Sequence, residues 1–399
     1  MKILVVAGEA SGDMHGARLI REIKSTAPDI EFYAVGGERI RSEGAYILFD
    51  CQRLAVVGII EILAHINVIL GCFRLLKNFL RIHKPDLVIL IDYPDFNLRL
   101  AKIAKKRGIR VVYYISPQIW AWRRNRLRFM SRWVDKMLVI FPFEVPFYSK
   151  AGMKVEFVGH PLLDSVSPRI SQESFKLKSG LKKGEHLIAL MPGSRKGEVL
   201  RILPVMLKGA KRLAENRPGK WRFVLILAPT VDQSIIAPLI NKYANILSIS
   251  MIQGYTYEAL KASELAFVAS GTATLETAII GTPMLILYKL SWPTYFIAKT
   301  MIRVPAIGLV NLVAREKLFP ELIQGDATGE RLAEEAGRIL EDPESRRKMT
   351  QGMSRVRQEL GQAGAARRAA EAVIRFLKES EEKESEELEG SPTRPLNQS

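Results

Sequence analysis

Short runs of apolar residues, separated by longer stretches with helical periodicity, recur along the first 160 residues of the chain. A run of this kind is typical of a parallel strand that is buried on both faces. The runs lie at Ile3–Ala7, Phe32–Val35, Leu87–Ile91, Val111–Ile115, Lys136–Ile140 and Val155–Val158. Their alternation with helical segments predicts a doubly wound parallel sheet.

A second alternation of the same kind begins after a polar stretch at residues 162–185, where we place an interdomain linker. Its strands are expected at Leu187–Met191, Phe223–Ala228, Ile246–Ile249, Phe267–Ala269 and Met284–Tyr288. Two Rossmann-like halves in tandem place a ligand site in the cleft between them, outside the carboxyl ends of the strands. Residues 330–377 read as mostly helical, and the Glu-rich, Ser-rich and Lys-rich tail beyond Lys378 is expected to be disordered.

The stretch from Phe267 to Tyr288 reads as strand, small-residue turn, helix, Gly-Thr-Pro and strand. The turn is formed by Ser270, Gly271 and Thr272, and its free N–H groups at a helix N-terminus favour an anion, typically a phosphate. Glu276 lies one turn further along, where its carboxylate could accept hydrogen bonds from a ribose. In the alternative interpretation Ser270 or Thr272 only caps the helix and Glu276 is solvated.

A second turn, Gly193-Ser194-Arg195, follows the first strand of the second half. Two such turns at one sheet edge could hold the two phosphates of a nucleotide, with Ser194 in the turn and the guanidinium of Arg195 on the phosphate oxygens. The alternative is a surface arginine beside a capping serine. The presence of both turns favours phosphate binding.

In the first half, Asp92-Tyr93-Pro94-Asp95 ends a buried strand. A hydroxyl nucleophile needs a base, and a carboxylate with a raised pKa can serve as one. We assign that function to Asp95 and a turn-making role to Asp92. Two acids in this turn could also bind a divalent metal, or merely cap the helix near Asn97.

A glycine-rich loop is expected at Gly8–Gly16, where Ser11, Gly12, Asp13 and His15 could contact a bulky ligand. It matches neither a dinucleotide fingerprint nor a P-loop. The sequence leaves open whether Asp95 or Asp13 accepts the proton. His160 follows a later strand and is a further candidate, although a lone histidine is more often simply hydrogen-bonded.

The formal net charge of the 399 residues is +17, although the last 22 residues contain seven Glu. Such a surplus indicates an anionic partner, which could be nucleic acid, an anionic membrane surface or a phosphorylated substrate. The only cysteines are Cys51 and Cys72, which excludes a disulfide framework and a cysteine-based zinc site and fits a reducing cytoplasm. The apolar N-terminal run is too short for a signal peptide.

Two segments could contact an anionic membrane. Leu54–Leu80 is apolar and is followed by basic residues, but Glu61 interrupts it and it is too short in apolar length to span a bilayer. Residues 119–133 interleave three tryptophans with five arginines, which suits either nucleic acid or a membrane surface. A buried core helix is the alternative for Leu54–Leu80.

Ten motifs, in order between residue 3 and about residue 320, resemble those of the lipid-A-disaccharide synthase family. They are GEASGDMHG (8–16), VGG (35–37), DYPDFN (92–97), YYISPQIWAWR (113–123), FPFE (141–144), FVGHPLLD (157–164), MPGSRKGE (191–198), SGTATLE (270–276), GTPM (281–284) and VNLVARE (310–316). The resemblance implies a GT-B fold, an α/β architecture of two Rossmann-like doubly wound domains with C-terminal helices crossing back to the first. We therefore expect an acceptor and membrane-facing domain at 1–165, a UDP-sugar domain at 166–344, returning helices at 345–377 and a disordered acidic tail at 378–399.

The resemblance also implies an activity, namely inverting transfer of 2,3-diacylglucosamine from UDP to the 6-hydroxyl of 2,3-diacylglucosamine 1-phosphate. It implies no cofactor and no metal. By motif position, Asp95 matches the catalytic acid, Arg195 a diphosphate contact, Glu276 a ribose contact and Asn311 a polar residue needed for activity. The implied setting is cytoplasmic and peripheral on the inner membrane face, with a homodimer through the C-terminal region as an option.

Three rival interpretations remain. Another GT-B enzyme that uses a UDP-N-acetylhexosamine, either a transferase or an epimerase, shares the fold but not the motif set. A nucleic-acid-binding protein would use the tryptophan- and arginine-rich stretch and would leave Asp95, Arg195 and Glu276 without a role. A non-catalytic membrane scaffold would tolerate replacement of Asp95 and Asn311.

Overall fold

The computed structural model describes residues 1–54, 66–122, 126–217, 220–301 and 304–389, and the contacts below are those among these residues. The chain forms two compact units, one comprising Met1–Pro161 with Ala363–Ser399 and the other Leu162–Gln362. Within the described residues, no helix is both long enough and apolar enough to cross a membrane.

The first unit is built from alternating strands and helices. In chain order these are β1 Lys2–Ala7, α1 Ala10–Thr26, β2 Glu31–Gly36, α2 Glu38–Ser42, β3 Tyr46–Asp50, α3 Ile66–Ile82, β4 Leu87–Ile91, α4 Pro94–Lys105, β5 Arg110–Tyr114, α5 Ile119–Trp122, α6 Arg126–Trp133, β6 Lys136–Val139, α7 Glu144–Ser149 and β7 Lys154–Phe157. Short 3₁₀ turns at Cys51–Arg53 and Pro161–Asp164 complete this part of the chain.

The second unit repeats the pattern, and the last helix returns to the first unit. The elements are α8 Gln172–Lys178, β8 Glu185–Met191, α9 Lys196–Asn216, β9 Lys220–Ile226, α10 Gln233–Asn241, β10 Ser248–Ile252, α11 Thr256–Ala262, β11 Leu265–Ala269, α12 Thr272–Ile280, β12 Met284–Tyr288, α13 Trp292–Met301, α14 Leu309–Ala314, β13 Glu321–Ile323, α15 Gly329–Glu341, α16 Pro343–Glu359 and α17 Ala365–Glu389.

Both sheets are entirely parallel in the described part of the chain. The first has the strand order β3-β2-β1-β4-β5-β6-β7, and the second β10-β9-β8-β11-β12-β13. Successive strands therefore progress in opposite directions on either side of the β1/β4 pair and of the β8/β11 pair. In open parallel sheets, ligands bind outside the carboxyl ends of the strands at such a reversal. Each unit thus has one expected site.

The strand predictions are largely confirmed, because strands buried on both faces have an unambiguous apolar pattern. β4 and β12 have the predicted bounds, and every residue of β4 is buried. The sequence analysis did not identify β3 or β13. β3 is only partly buried along its length, and β13 has three residues, so neither has a continuous apolar run.

The expected glycine-rich loop is corrected by the structure, because α1 already begins at Ala10. Only Gly8 and Glu9 lie outside the helix. A Cβ atom at Gly12 would lie 3.1 Å from the Cβ of Ala7, so this glycine allows α1 to approach β1 closely. The glycines therefore serve helix–strand packing more than loop flexibility.

The C-terminal segment also differs from expectation. α16 packs against α12 and α14 within the second unit, whereas only α17 lies on the first unit, against α1. Arg368 Nε donates to the carbonyl of Val158 at 2.8 Å, and Arg375 pairs with Glu156. α17 continues to Glu389 instead of becoming disordered at Lys378, because Glu and Lys are strong helix formers.

The expected linker at 162–185 is likewise partly structured. It contains the helix α8, whose Ser171 cap accepts a hydrogen bond from the Ser174 N–H at 3.1 Å. Phe175 is the buried residue of this helix, and α8 packs against α11. The polar composition of this segment reflects a short, half-exposed helix that belongs to the second unit.

The apolar segment Leu54–Leu80 lies partly outside the described residues. Its described portion forms most of α3, which packs Cys72, Leu76, Phe79 and Leu80 into the core. α3 is therefore a core helix on one face, as in the alternative interpretation. Its other face is unusual, because it exposes apolar side chains next to basic ones. They are Ile66, Leu70 and Leu75 together with Arg74, Lys77 and Arg81.

Where its side chains are described, the tryptophan- and arginine-rich stretch has one buried and one half-buried tryptophan. Trp120 is buried and donates from Nε1 to Glu144 Oε1 at 3.1 Å. Trp133 is half-buried, with the guanidinium of Arg132 5.0 Å from its ring centroid. The middle of the stretch, residues 123–125, lies outside the described residues. The described part thus corrects the expectation that Trp120 contacts a partner.

Candidate active site

The predicted nucleotide residues of the second unit follow the two strands at which the order of its sheet reverses. Ser194 and Arg195 come after β8, and Ser270–Thr272 come after β11. β8 and β11 are hydrogen-bonded neighbours, with Met191 opposite Val268. The two turns therefore leave the same edge of the sheet on adjacent strands.

The turn after β11 is held at its first residue, Ser270, by two hydrogen bonds. The Ser270 N–H donates to the carbonyl of Leu287 at 2.8 Å, and the Ser270 hydroxyl donates to the carbonyl of Ile307 at 3.0 Å. Gly271 has φ +150°, a conformation that side-chain-bearing residues rarely adopt. Because the Ser270 hydroxyl donates to Ile307, it stabilises the turn and does not cap the helix that follows. The N-terminus of α12 then begins at the exposed Thr272.

Glu276 lies on α12 and is largely buried. Its Oε1 accepts a hydrogen bond from the Tyr257 hydroxyl at 3.2 Å. Burial raises the pKa of the Glu276 carboxyl above its ordinary value, whereas the hydrogen bond from Tyr257 acts to lower that pKa. The alternative interpretation, in which Glu276 is solvated, is therefore wrong, whereas its contact with a ribose stays a prediction.

The turn after β8 exposes the side chain of Arg195, which immediately precedes α9. Its guanidinium forms no hydrogen bond or ion pair with the described residues. Gly193 has φ +112°, and the Glu198 carboxylate folds over it to accept from the Ser194 N–H at 3.2 Å. An exposed guanidinium at a helix N-terminus is suited to an anion with several oxygens.

Asn311 is almost completely buried on α14, and its amide is fully engaged. Nδ2 donates to the Phe319 carbonyl and to Glu321 Oε1, each at 2.9 Å, while Oδ1 accepts from the Phe319 N–H. Glu321 in turn accepts from the N–H groups of Ile307 and Gly308. Since the Ile307 carbonyl also accepts from the Ser270 hydroxyl, Asn311 supports the turn at Ser270 through Glu321 and Ile307.

In the first unit, the turn after β4 is formed by two consecutive residues with left-handed backbone. Asp92 has φ +45° and Tyr93 has φ +46°, a costly conformation for residues with side chains. The Asp92 carbonyl accepts from Asn97 Nδ2 at 2.8 Å and from the Tyr113 hydroxyl at 2.5 Å. Burial, followed by the charge of Glu9, raises the pKa of the Asp92 carboxyl to about 6.

Asp95 lies in the first turn of α4, which begins at Pro94. The alternative in which Asp92 and Asp95 form a turn that caps a helix near Asn97 is therefore wrong for Asp95. Its side chain is 69% exposed and forms an ion pair with Arg126 of α6. The carboxylate is thus both accessible to a substrate and oriented by a cation. Arg126 was not identified from the sequence, because its approach to Asp95 depends on how α6 packs against α4.

Asp13 has a different environment from Asp95. It is buried on α1, and its carboxylate accepts hydrogen bonds from the backbone N–H groups of Gly37, Arg39 and Ile40 at 2.6, 3.2 and 3.2 Å. These groups form the entrance to α2, so Asp13 connects the N-terminus of α1 to that of α2. Its acceptor capacity is used within the protein, which favours a structural role.

Replacing Asp13 by asparagine is expected to lower the free energy of unfolding of the first unit by about 2–4 kcal/mol. The neutral amide loses the charge that strengthens three buried hydrogen bonds, and its NH₂ group faces backbone donors. Urea unfolding followed by circular dichroism measures the change. Glu38→Gln, which alters an exposed carboxylate on the adjacent α2, is the control and should change little. An unchanged transition in Asp13→Asn would contradict the assigned role.

The two predicted histidines come together in the first unit. Burial lowers the pKa of His15 to about 4 and that of His160 to about 3. The positive charge of Arg18 lowers the pKa of His15 further, and the charge of His15 acts on His160 in the same way. Both imidazoles are therefore neutral near pH 7. The ring of His160 packs against Phe141 at 5.0 Å. Ser11 remains exposed beside them on α1.

Groups of three or more His, Cys, Asp or Glu side chains with a geometry suited to a metal ion are absent from the described ranges. In the second unit the two turns present helix N-termini and a guanidinium, which suit an anion with several oxygens, and the first unit presents carboxylates. The sequence analysis missed Tyr257 and Arg126. Both act on predicted residues from other helices, and no local sequence signal marks such a contact.

The chain matches a family model described as lipid-A-disaccharide synthetase over residues 3–376. Curated relatives agree with this match. The lipid-A-disaccharide synthase of Syntrophus aciditrophicus is 48% identical over 379 residues, covering 95% of this chain and 98% of the relative. That of Geobacter sulfurreducens is 46% identical over 376 residues, covering 94% and 97% respectively.

Among solved structures, the UDP-GlcNAc 2-epimerase of Neisseria meningitidis bound to UDP-GlcNAc is similar in fold. Its TM-score is 0.64 at 14% sequence identity, covering 94% of this chain and 100% of that one. Similarity at this identity concerns the fold alone, and together with the two parallel sheets it confirms the predicted GT-B class. On sequence, the chain belongs to the lipid-A-disaccharide synthase family of glycosyltransferases.

Proposed function

We propose that this chain transfers 2,3-diacylglucosamine from UDP to the 6-hydroxyl of 2,3-diacylglucosamine 1-phosphate, with inversion at the anomeric carbon. The acceptor oxygen forms a bond to that carbon, and the bond from the carbon to the phosphate oxygen breaks. UDP leaves with the bonding electron pair, and the hydroxyl proton passes to a base. The products are the β-1,6-linked disaccharide 1-phosphate and UDP.

One observation carries this proposal beyond family membership. The turns containing Arg195 and Ser270–Thr272 leave adjacent strands of the second sheet at its reversal point. Two helix N-termini and a free guanidinium at one edge suit a diphosphate, and they would stabilise the negative charge that develops on departing UDP. Glu276 on α12 would then accept hydrogen bonds from the ribose. No metal is required for this stabilisation.

For the proton, we assign the general-base role to Asp95. Its carboxylate is exposed, in contrast to that of Asp13, and Arg126 fixes its orientation. A positioned carboxylate of this kind contributes about 10²–10⁴-fold to a rate. Ser11 is exposed and would contact the acceptor sugar, whereas His15 and His160 would support that region as neutral, largely buried groups, since the pKa values of both are far below 7.

Release of UDP from purified protein tests the reaction. The donor and the acceptor lipid are supplied together, then singly, in mixed detergent micelles. Release is expected only when both lipids are present, with a disaccharide product of matching mass. Equal release from the donor alone would indicate a hydrolase and contradict the proposal. Conversion of UDP-GlcNAc without any lipid would instead favour an epimerase.

We further propose that the enzyme is cytoplasmic and docks peripherally on the inner membrane through α3. The exposed apolar side chains of this helix share its surface with Arg74, Lys77 and Arg81, a combination that suits an anionic leaflet. Both proposed substrates carry acyl chains and would reside in that leaflet. A homodimer through the C-terminal region remains a prediction from the family resemblance.

The double variant Ile66→Ser with Leu70→Ser is expected to weaken binding to vesicles containing phosphatidylglycerol by about tenfold. Two half-exposed apolar side chains would lose about 1–2 kcal/mol of burial in the interface. Co-sedimentation with vesicles measures the affinity. Leu177→Ser removes a leucine that is 81% exposed in the second unit and should have no effect. Equal affinity of the double variant and the wild type would place the contact elsewhere.

A further inference from the structure

The carboxylate of Glu276 is linked to a residue for which the family motifs give no role. Tyr257 lies in the first turn of α11, and α11 packs against α12. The Tyr257 hydroxyl donates to Glu276 Oε1 at 3.2 Å. Both side chains are only partly accessible, so water is a poor substitute for this contact.

The position of Tyr257 is fixed by its own helix. Thr282, just after α12, donates from its hydroxyl to the Leu260 carbonyl at 2.7 Å and ties the two helices together. The neighbouring Glu258 is turned away and buried, with its Oε1 accepting from the Arg169 N–H at 2.6 Å. Besides Glu276, the charged groups that act on the Tyr257 hydroxyl are Arg169 and Glu258, and the carboxylate of Glu258 accepts from the Arg169 backbone.

We infer that Tyr257 is a positioning residue for Glu276, holding one carboxylate oxygen so that the other accepts from a ribose hydroxyl. In this role it sets the preference of the site for ribonucleotides over nucleotides that lack the ribose hydroxyls. The inference rests on the proposed function, because it takes uridine diphosphate as the ligand. It identifies a residue outside the family motifs and assigns it a role in the recognition of the ribose.

The chemistry of this contact depends on protonation. A carboxylate accepts strong hydrogen bonds from hydroxyl groups only when it is ionised, and burial opposes ionisation. The donated O–H of Tyr257 favours the ionised form and lowers the pKa of Glu276 against the effect of burial. Removing that O–H therefore raises the pKa of Glu276 further. Recognition of the ribose would then be lost at a higher pH than in the wild type.

Binding of UDP and of 2′,3′-dideoxy-UDP, measured by calorimetry between about pH 5.5 and 8.5, tests the inference. The proteins compared are the wild type, Tyr257→Phe, Glu276→Gln and the control Tyr243→Phe, which makes the same change elsewhere in the second unit. The wild type is expected to prefer UDP by about 10–100-fold at the upper pH, the usual worth of a hydrogen bond to a charged group.

Each variant has its own expected pattern. Glu276→Gln should lose most of the preference for UDP, because it lacks the charged carboxylate. The loss should be the same at every pH, because the amide does not titrate. As the pH falls, Tyr257→Phe should lose the preference for UDP at a higher pH than the wild type does, because the pKa of Glu276 is raised further. Tyr243→Phe should match the wild type throughout.

Three results would overturn the inference. The pH at which Tyr257→Phe loses half of its preference for UDP could equal that of the wild type. Alternatively, the preference of Tyr257→Phe could be lost equally at every pH, as a merely structural role predicts. The wild type could bind UDP without distinguishing the dideoxy nucleotide, in which case the inference fails and the nucleotide site stands. If the wild type binds no UDP at all, the inference fails together with the proposed function.

Discussion

Replacing Asp95 by asparagine is expected to lower kcat by about 10²–10⁴-fold, the usual contribution of a general base. The asparagine side chain has nearly the same shape but cannot take the proton of the acceptor hydroxyl. It can still accept a hydrogen bond from Arg126, so α4 and α6 should stay in place. We therefore expect little change in KM or in thermal unfolding. Steady-state UDP release with both lipids measures the loss.

The control for this experiment is Asp29→Asn, which neutralises an exposed carboxylate in the loop after α1. It should retain wild-type kcat. A kcat of Asp95→Asn within about threefold of the wild type would contradict the assignment. The base would then be sought at Asp92, whose pKa is raised to about 6.

Replacing Arg195 by alanine is expected to lower kcat/KM by about 10²-fold. A guanidinium that contacts a diphosphate contributes charge-assisted hydrogen bonds worth about 1.5–3 kcal/mol to binding. Stabilisation of charge on the departing UDP adds to this in the transition state. Arg195 is exposed and has no partner among the described residues, so its removal should not destabilise the fold.

Two further variants separate charge from geometry. Arg195→Lys keeps the charge but loses the planar fork, and an intermediate loss is expected. Arg201→Ala removes a second arginine from the same helix, where it contacts only the Gly197 carbonyl in the described structure, and should be nearly neutral. Similar kinetics for the alanine variants at 195 and 201 would argue against a diphosphate contact at Arg195.

The sequence predicted those parts of the fold that depend on local patterns. Strands buried on both faces, such as β4 and β12, have continuous apolar runs that leave no ambiguity of type. The stop of α12 at Gly281 was also predictable, because the left-handed position after a helix end, here with φ +88°, favours glycine. These features need no knowledge of the tertiary structure.

Contacts between distant elements could not be predicted in the same way. The pair Tyr257–Glu276 spans 19 residues and the pair Arg126–Asp95 spans 31, and each depends on the packing of two helices. The error in the first loop has a related cause. Gly8, Gly12 and Gly16 predicted a loop that a bulky ligand could approach closely, whereas the structure uses Gly12 to bring α1 close to Ala7. Glycine content alone does not distinguish a loop from a tightly packed helix.

The return of α17 to the first unit has a consequence for biosynthesis. The chain leaves that unit at Pro161 and re-enters it at Ala363. During translation from the N-terminus, the intervening unit is therefore complete before the ribosome has made the helix that covers α1. Domains generally fold as units while they emerge. The second unit is thus expected to reach its native state first, although its residues are made later than most of the first.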